Sequence, residues 1–163
     1  MDGRSYCVAS WWAGAKACAG ALLIASIVAG CASTPEASRE RDLDAKQFGT
    51  HPATAALYVY RPDRALDEES VLYMDDRLIG ATLPGTYFRI DARPGRHRLH
   101  GVAADAGSIE VQVRPGETYF VALRVSGGNS DFERVAPERG KAAVLACCTL
   151  LENWAPGQRP LLR

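Results

Sequence analysis

The sequence lacks the charge imbalance that is typical of proteins that bind nucleic acids. It has 19 Lys and Arg against 19 Asp and Glu, and its formal net charge at pH 7 is zero. A near-neutral chain gains no general electrostatic attraction to a polyanion or to an anionic membrane surface. We therefore predict that nucleic acid is not a partner.

Signatures of catalysis and metal binding are also missing. No serine stands in a Gly-x-Ser-x-Gly pattern, and no glycine-rich phosphate loop is present. The only candidate bases of histidine type are His51, His97 and His100. His97 and His100 are three residues apart on a predicted strand, so they point to opposite faces and do not easily share a metal ion. We predict no enzyme, no cofactor and no metal; the alternative is an envelope enzyme whose site is assembled from distant residues.

The sequence has no uncharged apolar run long enough to cross a membrane. Residues 17–30 form such a run, but a spanning helix needs roughly 20 apolar residues. Extending the run backwards would place Lys16 in the bilayer, at a cost of roughly 2.5–3.5 kcal/mol. A basic flank, a short apolar run and small residues at its end are typical of a secretory signal peptide. We predict that residues 1–30 are a cleaved signal peptide.

The end of this run resembles the lipobox of bacterial lipoproteins. It reads Val28-Ala29-Gly30-Cys31, an aliphatic residue and two small residues before a cysteine. The resemblance implies that signal peptidase recognises the first three residues and cleaves before Cys31. It also implies lipid on the Cys31 sulfur and an acylated amino terminus, and two or more acyl chains anchor a protein stably. Ala32 follows, which in enteric-type lipoproteins implies the outer membrane. The alternative is a secreted domain without lipid.

Few cysteines remain for the folded part. Cys7 and Cys18 lie in the predicted signal peptide, and Cys31 is the predicted lipidation site. Cys147 and Cys148 remain as a candidate redox pair. Their Cα atoms would be about 3.8 Å apart, whereas disulfides usually span about 4.4–6.8 Å. We favour two thiols, with a disulfide as the alternative.

The rest of the chain predicts a tether followed by one β-domain. Residues 31–52 are polar and are predicted to be a lipidated, flexible tether that spans roughly 25 Å, helical in part between Ser38 and Gln47. Residues 53–152 are predicted to form the domain, and residues 153–163 a loose tail. Period-two alternation predicts strands at Ala55–Arg61, Ser70–Asp75, Arg77–Thr82, Thr86–Asp91, Arg96–Ala103, Ser108–Arg114, Thr118–Ser126 and Phe132–Val135.

The connections between these strands predict the fold class. Pro-Gly pairs at 84–85, 94–95 and 115–116 favour tight turns, and Asp75-Asp76 suits a two-residue hairpin. Pro137 can begin a helix, and the apolar stretch Lys141–Leu151 could cover one face of a sheet. Short strands with little helix predict a mainly β protein, an antiparallel β-sandwich with one short C-terminal helix.

Several stretches resemble known envelope proteins. They are 56–62, 83–90, 93–97 and 114–121, beginning with Ala-Leu-Tyr-Val-Tyr-Arg-Pro. Together they resemble an uncharacterised bacterial lipoprotein domain of unknown function, and the middle part is similar to PEGA domains, which are small β-sandwich modules. PEGA-type hairpins usually have Asp-Gly where this chain has Asp75-Asp76. The resemblance implies a fold and a compartment, and it brings no catalytic residues to this chain.

Two groups of residues are candidates for a binding surface. Tyr58, Tyr60 and Tyr87, with Phe120, lie on the strand faces opposite the predicted core. They either form an exposed platform for sugar rings or a protein, or are covered by the C-terminal helix as a second core; we favour the second interpretation.

The second candidate group is basic. Arg96 and Arg98, with Arg93 and His100, cluster around one hairpin. They would contact phosphates of lipid headgroups or cell-wall polymers, or would simply be a solvated strand face balanced by Asp91 and Asp105. The resulting expectation is a membrane-anchored envelope lipoprotein that acts as a non-catalytic binding or structural module. Its partners would be the membrane, through lipid on Cys31, and a cell-wall or envelope-protein component.

Overall fold

The computed structural model describes residues 34–62, 70–102 and 107–153. All of them belong to one unit, Ser33–Arg163. The predicted signal peptide, Cys31 and residues 154–163 of the predicted tail lie outside the described residues.

Two sheets pack face to face in this unit. The elements in chain order are α1 (Arg39–Ala45), β1 (Ala55–Arg61), β2 (Ser70–Met74), β3 (Arg77–Thr82), β4 (Thr86–Ala92), β5 (Gly95–His100), β6 (Ser108–Val113), β7 (Thr118–Ser126), β8 (Asn129–Val135), α2 (Pro137–Cys147) and β9 (Thr149–Leu150). The first sheet has the order β8-β7-β1-β4-β9 and the second β3-β2-β5-β6. The predicted mainly β sandwich with a short C-terminal helix is confirmed.

The first sheet is mixed rather than purely antiparallel. β1 pairs antiparallel with β4 but parallel with β7, and β4 pairs parallel with the short β9. Parallel neighbours need long crossover connections. The connection from β1 to β7 includes the whole second sheet, and the sequence pattern alone does not reveal such a pairing.

Alternation along the strands creates two separate apolar layers. In β1, Leu57 and Val59 belong to the core between the sheets, whereas Tyr58 and Tyr60 belong to a second cluster on the outer face of the first sheet. Successive strand residues point to opposite faces, so both faces of β1 are apolar and every residue of the strand is buried. The first sheet is therefore covered on both sides.

Helix α2 covers part of that outer face at very close range. Gly140 is the fourth of the eleven residues of the helix and is buried. A Cβ atom at this position would lie 2.2 Å from Cγ of Phe120 on β7. Glycine usually weakens a helix, but here it allows the helix backbone to approach the aromatic ring.

Residues 34–52 pack on the sandwich, which corrects the predicted flexible tether. α1 begins after Ser38, whose Oγ accepts a hydrogen bond from the Arg41 N–H at 3.3 Å. Ala45 is fully buried, and the Phe48 ring lies 5.3 Å from the Tyr58 ring. The segment has few apolar residues, but these few enter the second cluster. The domain therefore begins near residue 34 and not at residue 53.

The start of the described chain closes one side of the sandwich. We call residues 34–37 the edge segment. Ala37 donates its N–H to the Leu150 carbonyl at 2.8 Å, and Glu152 donates to the Pro35 carbonyl at 2.9 Å. Thr34 is 3% exposed, and its Oγ accepts the Ala81 N–H from the free edge of β3 at 2.7 Å. The edge segment thus links the edges of both sheets.

Candidate functional site

The three predicted binding tyrosines are buried, so they do not form an exposed platform. Tyr58, Tyr60 and Tyr87 are 0%, 5% and 1% exposed. α2 covers this face as we favoured, and α1 and Phe48 cover it as well. The assignment of these tyrosines to a binding surface is therefore wrong, because the segment that was predicted to be a tether packs on them.

Hydrogen bonds hold two of the hydroxyl groups in place. The Tyr58 hydroxyl donates to the Ala45 carbonyl at 2.6 Å, and the Tyr87 hydroxyl donates to Asp42 Oδ1 at 3.1 Å. Burial is the main reason that the pKa of Tyr58 rises to about 12. Burial, reinforced by Asp42, raises the pKa of Tyr87 well above its ordinary value. These phenols remain protonated donors inside a core, which is a structural role.

Asp42 is a residue that the sequence analysis missed. Besides the Tyr87 hydroxyl, it accepts the backbone N–H of Leu150 at 2.9 Å and the Lys46 ammonium at 2.7 Å. It therefore ties α1 to both β4 and β9. The Asp42–Lys46 spacing on a predicted helix was a usable signal for the ion pair, but nothing in the sequence pointed to Leu150.

Cys147 and Cys148 form a disulfide, whereas the sequence analysis favoured two thiols. Consecutive helical residues project about 100° apart. Here, however, Cys148 is extended, since α2 ends at Cys147. The pair lies between α2 and β9, with Cys148 5% exposed. The candidate redox pair is therefore oxidised and largely enclosed by the second cluster.

The predicted lipidation site, Cys31, lies outside the described residues, as do the peptidase-recognition residues Val28, Ala29 and Gly30. Among the described residues, no helix is both long and apolar enough to cross a membrane.

The predicted basic hairpin contains a histidine–aspartate arrangement that the sequence analysis did not foresee. Asp75 and Asp76 form the β2–β3 turn with φ of 51° and 59°. The Asp75 carboxylate accepts the Arg98 N–H at 2.9 Å and lies 2.6 Å from Nδ1 of His97. Nε2 of His97 lies 2.7 Å from the Arg93 carbonyl. The turn is thereby fixed to β5, and both nitrogens of His97 are engaged.

His100 lies on the other face of β5 and makes its own contacts. Its Nε2 lies 3.1 Å from Asp76 Oδ1, and its Nδ1 lies 2.6 Å from the Gly101 carbonyl. The Tyr73 ring stacks on it in a nearly parallel arrangement, with centroids 5.1 Å apart. The two histidines thus contact different carboxylates. Within the described ranges, no three Asp, Glu, His or Cys side chains are grouped as metal ligands.

A small cleft of about 230 Å³ lies beside this turn. The ionisable residues that line it are Asp75, Arg77, Asp91, Arg93 and His97. Asp91 lies 3.5 Å from the Arg89 guanidinium and Asp75 is bound by His97. Arg93 is exposed and makes no ion pair within the described ranges. Neighbouring side chains therefore already engage both acids of the cleft, whereas the exposed guanidinium group of Arg93 can still bind a carboxylate or a phosphate.

The two predicted arginines of β5 are exposed, and they differ in their contacts. Arg96 pairs with Glu110 on β6 at 3.5 Å. Arg98 makes no ion pair in the part of the chain that the structure describes, and its backbone holds the Asp75 turn. Arg93 and Arg98 are therefore the cations of this region that can bind a partner, whereas Arg96 has Glu110 nearby.

Comparisons with known proteins identify one relative. It is an uncharacterized protein of Haemophilus influenzae, 30% identical over 130 residues, which are 74% of this chain and 76% of the relative. The chain belongs to the same family as this protein. No family model matches the chain, and no solved structure matches it.

Proposed function

We propose that this protein is a lipid-anchored lipoprotein of the bacterial cell envelope whose sandwich is a non-catalytic binding module. The observation that carries the proposal is the order Val28-Ala29-Gly30-Cys31 at the end of a short apolar run. This order resembles a lipobox, and a run of this length suits a signal peptide better than a spanning helix. The proposed location is the outer membrane, facing the periplasm.

The geometry supports a binding role better than a catalytic one. Among the described residues, the titratable groups with a raised pKa are tyrosines, and Tyr58 and Tyr87 are fixed inside the second cluster. His97 is engaged at both nitrogens, so it is not placed to act as a general base. The exposed guanidinium groups of Arg93 and Arg98 are suited to a cell-wall or envelope-protein partner that carries carboxylates or phosphates.

The anchor is tested by metabolic labelling. The full-length chain, a Cys31→Ala variant and a matched Ser33→Ala variant are expressed in a Gram-negative host with labelled palmitate. We expect label in the membrane fraction for the wild type and Ser33→Ala, and none for Cys31→Ala. Label-free, soluble wild-type protein would contradict the anchor and favour a secreted domain.

The binding role is tested by photo-crosslinking in cells. A photoreactive amino acid in place of Arg96, which is exposed and already pairs with Glu110, should give a discrete adduct that weakens when Arg93 and Arg98 are both replaced by alanine. The control position is Lys141, which is exposed on α2. Equal products from both positions, or no product at position 96, would contradict a partner at the basic hairpin.

A further inference from the structure

We infer that the side of the domain formed by the edge segment and β3 faces the bilayer. We also infer that no long flexible tether separates this side of the domain from the lipid anchor. This inference rests on the proposed lipid anchor at Cys31. The predicted tether would let the domain move roughly 25 Å from the membrane, whereas this inference places the domain directly at the membrane surface. It also determines which side of the sandwich is open to a partner.

The first observation is how firmly the edge segment is held. Thr34 is buried and accepts the Ala81 N–H at the edge of β3. Glu36 pairs with Leu151 in an antiparallel bridge, and hydrogen bonds of 2.8 and 2.9 Å flank that bridge. Releasing this segment would expose the N–H of Ala81 and break the pairing with residues 150–152. The chain is therefore fixed to the domain from residue 34 onward.

The second observation is the short length of chain between the proposed anchor and the edge segment. Only Ala32 and Ser33 separate Cys31 from Thr34. Three residue steps span at most about 10–11 Å when fully extended. A lipid on Cys31 would therefore hold the edge segment within about this distance of the headgroups.

The third observation is that the opposite side of the domain is farther away than the link can reach. β8 and β6 are at the ends of the two sheets opposite β9 and β3, and the Arg134 guanidinium on β8 donates to the Glu110 carbonyl on β6 at 3.4 Å. Neighbouring strands are about 4.8 Å apart, so this side is about 14–19 Å across the sheets from the edge segment. The β6–β8 side should face away from the membrane.

The bilayer is the favoured neighbour of the edge segment, because the proposed lipid on Cys31 is only three residues before Thr34. The exposed guanidinium groups of Arg93 and Arg98 are the competing attraction to an anionic surface, and position 112 on β6, next to β5 in the sheet, would be the nearer one if they held the domain on the bilayer. A second copy of the chain on the edge segment would compete with the anchor for the same side. It would be detected in the experiment below as a loss of energy transfer at high protein density.

The experiment measures energy transfer from two positions to acceptor lipids. A clickable amino acid replaces Glu36 on the edge segment or Gln112 on β6, both of which are exposed. The mature protein with its donor dye is reconstituted into phosphatidylethanolamine–phosphatidylglycerol vesicles that contain headgroup-labelled acceptor. We expect position 36 to be nearer the acceptor plane than position 112 by about 14 Å or more. Equal distances, or a nearer position 112, would overturn the inference.

A matched variant isolates the short link. A Gly-Ser insertion of about 20 residues between Ala32 and Ser33 restores a flexible reach of roughly 25 Å. We expect energy transfer from position 36 to fall in this variant and to approach that from position 112. An unchanged value would show that the link does not hold the domain in place.

The failure of the anchor can be distinguished from the failure of this inference. Mass spectrometry of the purified protein reports lipid on Cys31 independently of the energy transfer. If that lipid is absent, the proposed function fails, and the mature chain is coupled through Cys31 to a maleimide lipid in the same vesicles. The two donor positions then still test whether the edge segment faces the membrane.

Discussion

Replacing Gly140 by alanine should destabilise this protein, although the same change stabilises most helices. Alanine is favoured over glycine in a helix interior by about 1 kcal/mol. The new Cβ, however, would lie 2.2 Å from Cγ and 2.4 Å from Cβ of Phe120. The Phe120 ring has no room to move away from the new Cβ, because the centroids of the Tyr58 and Phe48 rings lie 5.1 Å and 5.7 Å from its own.

The size of the effect follows from these opposing contributions. Overpacking a well-filled core costs typically about 1–3 kcal/mol and occasionally more. A contact this short with a ring that is held from behind should be near the upper end of that range. After subtraction of the gain in helix propensity, we expect the free energy of unfolding to fall by about 2 kcal/mol.

Urea denaturation of the oxidised domain, followed by circular dichroism, measures this change. Gly49→Ala is the matched control, because no atom lies within 4 Å of its new Cβ and its effect should be small. Ala142→Gly, at an exposed position of α2, should cost about 1 kcal/mol through propensity alone. If Gly140→Ala instead stabilised the domain, the packing of α2 on β7 described here would be refuted.

Three further predictions concern a buried tyrosine, a buried threonine and an exposed aspartate of the β2–β3 turn. The pKa of Tyr58 is raised by burial to about 12, so the unfolded chain ionises first, near pH 10. About 3 kcal/mol of stability should be fully present below pH 10 and be lost between about pH 10 and 12. The urea midpoint should therefore fall less across this pH range in Tyr58→Phe than in the wild type. An equal fall in both proteins would contradict the attribution of this loss to Tyr58. Thr34→Val should lower the free energy of unfolding by about 1–3 kcal/mol, because the buried Ala81 N–H loses its acceptor. A neutral effect in the same assay would argue against the packing of the edge segment on β3. Asp75→Ala should cost about 1 kcal/mol in urea denaturation through loss of its bond to His97, and a matched Asp76→Ala, at a side chain that is 84% exposed, should cost less.

Much of the fold could be predicted because strand alternation is a local signal. β1 and β7 begin and end at the predicted residues, and the Asp75-Asp76 turn joins β2 and β3 as expected. The separation of Leu57 and Tyr58 onto opposite faces was predicted in the same way. These features depend on neighbours within a few residues, and the sequence contains that information directly.

The candidate site was less predictable, because its contacts join residues that are distant in the chain. Tyr87 is covered by α1, which lies in a segment whose polar composition predicted a tether. His97 meets Asp75, 22 residues earlier, only because β5 pairs with β2. Composition reports how much apolar surface a segment contains, but not whether a few of its residues reach an existing core.

The pairing of residues 35–37 with residues 150–152 also determines the order of events during synthesis. The edge segment leaves the ribosome first, but its partner strand is made more than a hundred residues later. Closing so long a loop is entropically costly and slow compared with local hairpin formation. Residues 34–37 therefore remain accessible until residues 150–152 have been made, and the lipidation that we propose for Cys31 would have that interval in which to take place.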